Sequence, residues 1–307
     1  MSRTTPARRA LTATLLATAV ATAAAAPAMA APTTAASHRQ DTRSDNEAYN
    51  KSIVEQVLKG VFEEGDPGVV DRYVRTDYIQ HNPIAPDGSA ALRQAAINMR
   101  QFPDARIDIK HIIAQGDLVL VHSNSAQLAG DRGRALFDIL RIQDGKIAEH
   151  WDVTQPVPAT TASGNDMFST LSKPTTGKPR PRWLTAYNKK LVTKAFDRLL
   201  VEKDASAVTR FLAPNFRQHS PTVTDGRQGA QAALTAYFQN HPQLKVEPKR
   251  IIAEGDLVAV HSHYIPAPGE RGQAVLNLFR VQNGKIVEHW DTVQDVPATS
   301  ANDNTMF

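Results

Sequence analysis

The sequence predicts an α+β protein of two tandem domains, each with about three helices packed on a curved antiparallel sheet. The first observation behind this is a long internal repeat. Ile112-Ile-Ala-Gln-Gly-Asp-Leu-Val-Leu-Val-His-Ser123 returns as Ile251-Ile-Ala-Glu-Gly-Asp-Leu-Val-Ala-Val-His-Ser262, with ten of twelve residues identical. Gly145-Lys-Ile-Ala-Glu-His-Trp-Asp152 likewise returns as Gly284-Lys-Ile-Val-Glu-His-Trp-Asp291. The offset of 138 or 139 residues is far longer than a solenoid period of roughly 20–50 residues, so it marks a duplicated domain. The second observation is the order of patterns inside each copy, helical spacing first and alternating strands after it. The third is length, since 307 residues suit two domains of about 100–200 residues each.

The copies run from 46 to 168 and from 184 to 307. In copy one, Ser44 or Asp45 caps a helix whose apolar residues Ile53, Val54, Val57, Leu58, Val61 and Phe62 keep helical spacing. Gly65-Asp66-Pro67 stops it. A short second helix holds Val69, Val70 and Tyr73, and a third covers Ala90–Arg100. Strands follow at Arg106–Ala114, Leu118–Gln127, Ala135–Ile142 and Lys146–Gln155, with Gly116-Asp117 and Asp144-Gly145 where hairpin turns are required. The Pro-, Lys- and Thr-rich stretch 169–183 reads as an exposed linker.

Residues 1–30 have a different character. Arg3, Arg8 and Arg9 precede an Ala-rich apolar run, and Ala28-Met-Ala30 offers small residues where a signal peptidase reads. This is the pattern of a secretory signal peptide, with 31–45 a disordered leader and the mature chain secreted. The alternative, a membrane anchor, is disfavoured because the apolar run is short for a span of roughly 20 residues. The 35 basic and 31 acidic residues include those three arginines, leaving 32 against 31. That near-neutral balance gives nucleic acid no electrostatic footprint, and no membrane partner is expected after cleavage. With no cysteine, disulfides, thiol nucleophiles and thiolate metal sites are excluded.

Strand alternation sorts the candidate functional residues. On the last strand Ala148, His150, Asp152 and Thr154 share one face, and Ile147, Glu149, Trp151 and Val153 the other. One registration places His122, Asn124, Asp138, His150 and Asp152 on a single surface. Copy two then offers His261, His263, Asn277, His289 and Asp291. His81 and His219, each shortly before a proline, would close the mouth, with Tyr78 and Asn82 beside it. Polar groups facing a core cost roughly 1–3 kcal/mol each when unpaired, so several on one sheet face point to a pocket. A carboxylate against apolar walls has its pKa raised toward that of a general base, which singles out Asp152 and Asp291. The plainer alternatives are hydrogen-bonded structural histidines, and an Asp152 that caps its strand or pairs with Lys146 or Arg141.

Tyr78-Ile-Gln-His-Asn-Pro83, Asp87-Gly88, Gly116-Asp-Leu-Val-x-Val-His122 and Asp138-Ile-Leu-Arg-x-x-Asp-Gly-Lys-Ile-x-Glu-His-Trp-Asp152 together resemble the SnoaL-like family of polyketide cyclases, within the nuclear-transport-factor-2-like superfamily. The resemblance covers both copies. It implies cone-shaped domains with a deep pocket and a cofactor-free aldol cyclase, isomerase or lyase chemistry. Its base position falls on Asp152 and Asp291. The family's helper histidine, fourteen residues before that base, is replaced here by Asp138 and Asn277, leaving His122 or His150 to take that part, with His261 and His289 their counterparts. The mismatch between copies predicts that the two pockets have diverged. Superfamily members commonly dimerise sheet to sheet, which implies that the copies pair within one chain along the faces carrying Trp151 and Trp290. The rival readings are a non-catalytic extracellular module for a small apolar ligand, and a metal site of His261 and His263 joined by His219 or His289.

Overall fold

The computed structural model describes residues 34–171 and 181–307. The expected signal peptide and residues 172–180 of the expected linker lie outside the described residues. Helix α1 (Thr34–Phe62) begins well before Ser44 or Asp45, so the stretch read as a disordered leader is helical from Thr34 onward. No glycine or proline interrupts 34–59, and Ala, Arg and Gln in its first turns favour a helix.

In copy one, α1 is followed by α2 (Gly68–Tyr73), β1 (Val74–Gln80), α3 (Ser89–Met99), β2 (Arg106–Gln115), β3 (Leu118–Ala126), β4 (Arg134–Gln143) and β5 (Lys146–Pro156). Copy two repeats the series as α4 (Arg182–Phe196), α5 (Val208–Phe211), β6 (Leu212–Gln218), α6 (Gly226–Asn240), β7 (Lys245–Glu254), β8 (Leu257–Ile265), β9 (Gln273–Gln282) and β10 (Lys285–Asp295). The sheets run β1-β5-β4-β3-β2 and β6-β10-β9-β8-β7. The α+β class stands, but each sheet is mixed rather than purely antiparallel, because β1 pairs parallel with β5 and β6 with β10. The sequence reading missed these edge strands because β1 turns only Val74, Tyr78 and Gln80 inward among charged neighbours, too weak an alternation to register. Asp144 and Gly145 both have positive φ, 50° and 72°, as the tight β4–β5 hairpin requires.

Each sheet buries both faces. One face of the first sheet packs under α1, where Ile53, Val57 and Val61 meet Val119, Val121 and Leu140. The other meets the second sheet: Leu120, Phe137, Ile139, Trp151 and Val153 share one core with Leu257, Leu276, Leu278, Trp290 and Met306. Backbone amides cross this boundary reciprocally. Ala114 N–H donates to Glu254 Oε2 (2.8 Å) and Ala253 N–H to Gln115 Oε1 (3.1 Å). Thr154 N–H donates to Gln294 Oε1 (2.9 Å) and Val293 N–H to Gln155 Oε1 (3.1 Å). Both tryptophans are fully buried here, and truncating such a side chain costs about 3–5 kcal/mol.

Candidate functional site

The register of β3 decides which side chains share the site. Val121 lies opposite Asp138, and Asp138 opposite Asp152. His122 therefore lies opposite Phe137 and points the other way, into the layer between the sheets. The expected grouping of His122 and Asn124 with Asp152 is thus corrected, and so is that of His261 and His263 with Asp291. A one-residue slip sends every side chain of a strand to the opposite face, and β3 is apolar on both faces, so its composition could not choose between registers.

The misassigned residues lie on the side of each sheet away from its helices, with partners inside their own copy. His122 Nδ1 lies 3.1 Å from His111 Nδ1, and its ring stacks on Phe137 and Phe168. Burial holds the pKa of His122 well below 6.5 and that of His111 at about 4. His261 stacks on Phe307, and burial lowers its pKa to about 3. His263 stacks on Phe307 and lies 2.7 Å from the Arg271 carbonyl, while Asn124 donates to the Arg132 carbonyl. His81 and His219 do not close a pocket mouth. They stack on Trp151 and Trp290, with Nε2 near Glu149 (2.9 Å) and Glu288 (3.3 Å). Of the suggested metal sets, the one with His289 is divided between faces, since His289 faces α4 and α6 while His261 and His263 lie between the sheets. In the other, His219 is held by the Asp166 carbonyl and Glu288, and His263 by the Arg271 carbonyl. The cluster of metal-ligating groups among the described residues is Asp138, His150 and Asp152 instead.

The structure does bring together Tyr78, Asn82, Asp138, His150 and Asp152. Asp152 pairs with neither Lys146 nor Arg141, the latter being bound to Glu149 and Asp117. Its Oδ2 accepts a hydrogen bond from Asn82 Nδ2 (2.7 Å), while its buried Oδ1 has no partner. Burial raises the Asp152 pKa to about 6, against the charge of His150 and the Asn82 hydrogen bond, which lower it.

His150 lies between two oxygens. Its Nε2 is 3.0 Å from Asp138 Oδ1 and its Nδ1 is 2.9 Å from Gln80 Oε1. Gln80 Oε1 also accepts the Asn82 backbone N–H (2.9 Å), and Gln80 Nε2 donates to the Tyr78 hydroxyl, which fixes the amide orientation. Both ring nitrogens therefore donate. Burial alone would depress the imidazole, but the Asp138 hydrogen bond and the two carboxylate charges outweigh it and leave the pKa raised above 6.5. Candidate donor atoms of Asp138, His150 and Asp152 lie within 4.8 Å of one another. Yet a histidine that donates from both nitrogens has no lone pair for a metal, so the cluster is arranged around a proton. Gln80 escaped the sequence reading, and its only signal there was the repeated Gln-His pair.

In copy two, His289 keeps the equivalent bond to Gln218 Oε1 (2.8 Å), but its Nε2 faces the Asn277 amide (2.9 Å) instead of a carboxylate. Burial then wins and lowers its pKa to about 3. The atom placed against Nε2 is Asn277 Oδ1. A neutral His289 that donates from Nδ1 accepts at Nε2, and it pairs with Asn277 when that amide is turned to present Nδ2 instead. Burial raises the Asp291 pKa to about 6, opposed by a hydrogen bond with Ser220. Asp291, His289 and Asn277 line a 740 Å³ cavity walled by Phe196, Leu199, Phe216, Tyr237, Tyr264 and Phe279. Among the described residues, its lining contains no lysine or arginine.

A model of the SnoaL-like domain matches residues 54–150 and again 192–289. None of the curated proteins compared matches the chain. Among solved structures it is similar to TsrD of Streptomyces laurentii at 22% identity, covering 36% of this chain and 89% of that one, with a TM-score of 0.31. It is also similar to an NTF2-like protein of unknown function from Mesorhizobium loti at 21% identity, covering 38% and 97%, with a TM-score of 0.33. With matches to both halves of its repeat, the chain belongs to the SnoaL-like domain family and carries that domain twice.

Proposed function

We propose that the protein is a secreted small-molecule enzyme whose two copies have divided the work. Copy one performs cofactor-free proton transfer of the aldol cyclase, isomerase or lyase type, and copy two holds a small, largely apolar ligand. The observation that carries this reading is the difference at one cross-strand position. Asp138 keeps His150 protonated beside an Asp152 whose pKa is about 6, an acid and a base side by side near neutral pH. Asp152 takes the proton next to a substrate carbonyl, and the electron pair moves onto the carbonyl oxygen, where His150 stabilises the enolate. The enolate carbon then attacks a second carbonyl carbon of the same molecule, and the new alkoxide takes up the proton. Tyr78 and Asn82 orient the site.

The binding role of copy two is favoured by its chamber. Phenyl and aliphatic walls suit an apolar skeleton, and two carboxyl groups without a lining cation disfavour anionic ligands. Burial without a carboxylate partner lowers the His289 pKa to about 3, which leaves no imidazolium to accompany Asp291. Pairing of the copies through the Trp151 and Trp290 faces serves as the intramolecular counterpart of a family dimer.

Deuterium wash-in from D2O at the carbon next to the carbonyl, across a panel of cyclic diketones, tests the division. Asp152→Asn should abolish wash-in while Asp291→Asn leaves it intact and weakens thermal stabilisation by neutral apolar ligands. Equal loss in both variants, or loss with Asp291→Asn alone, would overturn it. Saturable binding without wash-in in the unaltered protein would make both copies binding modules.

A further inference from the structure

The two copies end alike, at Asn165-Asp-Met-Phe168 and Asn304-Thr-Met-Phe307, and neither ending takes part in the chemistry above. Both leave their own domain and lie along the other copy. The arm after β10 reaches the loop after β1. Ala301 N–H donates to the Pro83 carbonyl (2.7 Å), Asn302 Nδ2 to the carbonyls of Asn82 and Ala85 (both 2.8 Å), and Asn304 Nδ2 to the Gln80 carbonyl (3.0 Å) and Asp87 Oδ1 (2.9 Å). His81 Nδ1 donates to the Thr305 carbonyl (2.5 Å). The arm after β5 does the same to copy two. Ala162 N–H donates to the Pro221 carbonyl (2.8 Å), Asn165 Nδ2 to the Gln218 carbonyl (2.9 Å), and His219 Nδ1 to the Asp166 carbonyl (2.7 Å).

The residues held in this way carry the site. In copy one, Gln80, His81 and Asn82 are each tied by the arm. The Gln80 side chain then sets the proton position on His150, and that of Asn82 holds Asp152. Asp87 reinforces the link, since its Oδ1 accepts both the Gln80 N–H (2.7 Å) and the Asn304 amide. We infer that each site is assembled in trans, with Asn302 and Asn304 as positioning residues for Asp152 and His150 of copy one, and Asn165 as the positioning residue for His289 and Asp291 of copy two. The repeated endings are then explained as crossed braces, and the sites depend on both copies being present in one chain. A bond that fixes a loop over several consecutive residues cuts the rotamer freedom of the side chains it presents.

The inference rests on the proposed role of Asp152 for its meaning in catalysis, but its test does not. Carboxyl resonances of Asp152 and Asp291 are followed through a pH titration in the full chain labelled with 13C-aspartate. In Asn302→Ala/Asn304→Ala, loss of the steady Asn82 donor should move the Asp152 titration to higher pH and leave that of Asp291 unchanged. In Asn165→Ala the Asp291 titration should move and that of Asp152 stay. If the double variant fails to fold, Asn302→Ala alone gives the same comparison. Where wash-in is detectable, the double variant should lower its rate and shift its pH profile. Titrations that follow each arm's own copy, or that stay put in every variant, would overturn the inference even if wash-in is abolished by Asp152→Asn.

Discussion

Copy one and copy two share a sheet order and an aspartate at the same place on the last strand, yet they treat the neighbouring imidazole in opposite ways. Asp138 raises the His150 pKa, whereas beside Asn277 burial prevails and His289 stays neutral. The same burial therefore accompanies a raised imidazole pKa in one domain and a lowered one in the other, and the difference lies in a single side chain across the strand pair. The lesson is that duplicated folds diverge most cheaply where one charge sets the protonation of another group, because no backbone has to move.

A parallel contrast lies between the sheets. Arg280 and Glu288 form a fully buried ion pair, while Arg141 and Glu149 at the matching positions remain partly exposed. The largest expected effect follows from it. Arg280→Met removes the guanidinium from a buried carboxylate that keeps hydrogen bonds from Leu171 and Thr170. It should cost about 3 kcal/mol in denaturant unfolding, against under about 1 kcal/mol for Arg141→Met. Comparable losses would mean that the two halves of the contact are equivalent.

Copy one also places His111 where copy two has Arg250. A histidine whose folded pKa lies below its unfolded value of about 6.5 binds fewer protons in the native state, so stability falls as pH drops below 6.5. For His111, with a folded pKa of about 4, the loss approaches about 2–3 kcal/mol by pH 4. Thermal melts between pH 7 and 4 should therefore fall more steeply for the unaltered protein than for His111→Gln. The aspartates act with the reverse sign. Their folded pKa values of about 6 exceed the unfolded 3.8, so they lower stability as pH rises from 4 to 6. Asp291→Asn should accordingly raise stability by about 2–3 kcal/mol at pH 7 and leave it unchanged near pH 3, checked by urea unfolding at both. The smallest effect on stability, but the sharpest on the comparison, belongs to the exchange variants. Asp138→Asn should lower the His150 pKa and Asn277→Asp should raise that of His289, read from imidazole 15N shifts.

Much of this was legible in the sequence. The repeat exposed the duplication, and alternation on β5 correctly put His150 and Asp152 on one face with Trp151 on the other. That inference worked because one face of β5 is marked by polar residues. It failed on β3, where Leu118, Val119, Leu120 and Val121 fill both faces with apolar side chains and His122 could go either way. The edge strand β1 was hidden by its charges. The braces formed by Asn302 and Asn304 were beyond reach, since a contact more than two hundred residues away leaves no local pattern.

The carboxyl pKa values of Asp152 and Asp291, measured by 13C NMR titration of the unaltered chain, test the central claim most directly. Both should titrate near 6. Titration of both near the ordinary value of about 4 would mean that water reaches them freely, and the enclosed acid–base pair would not exist.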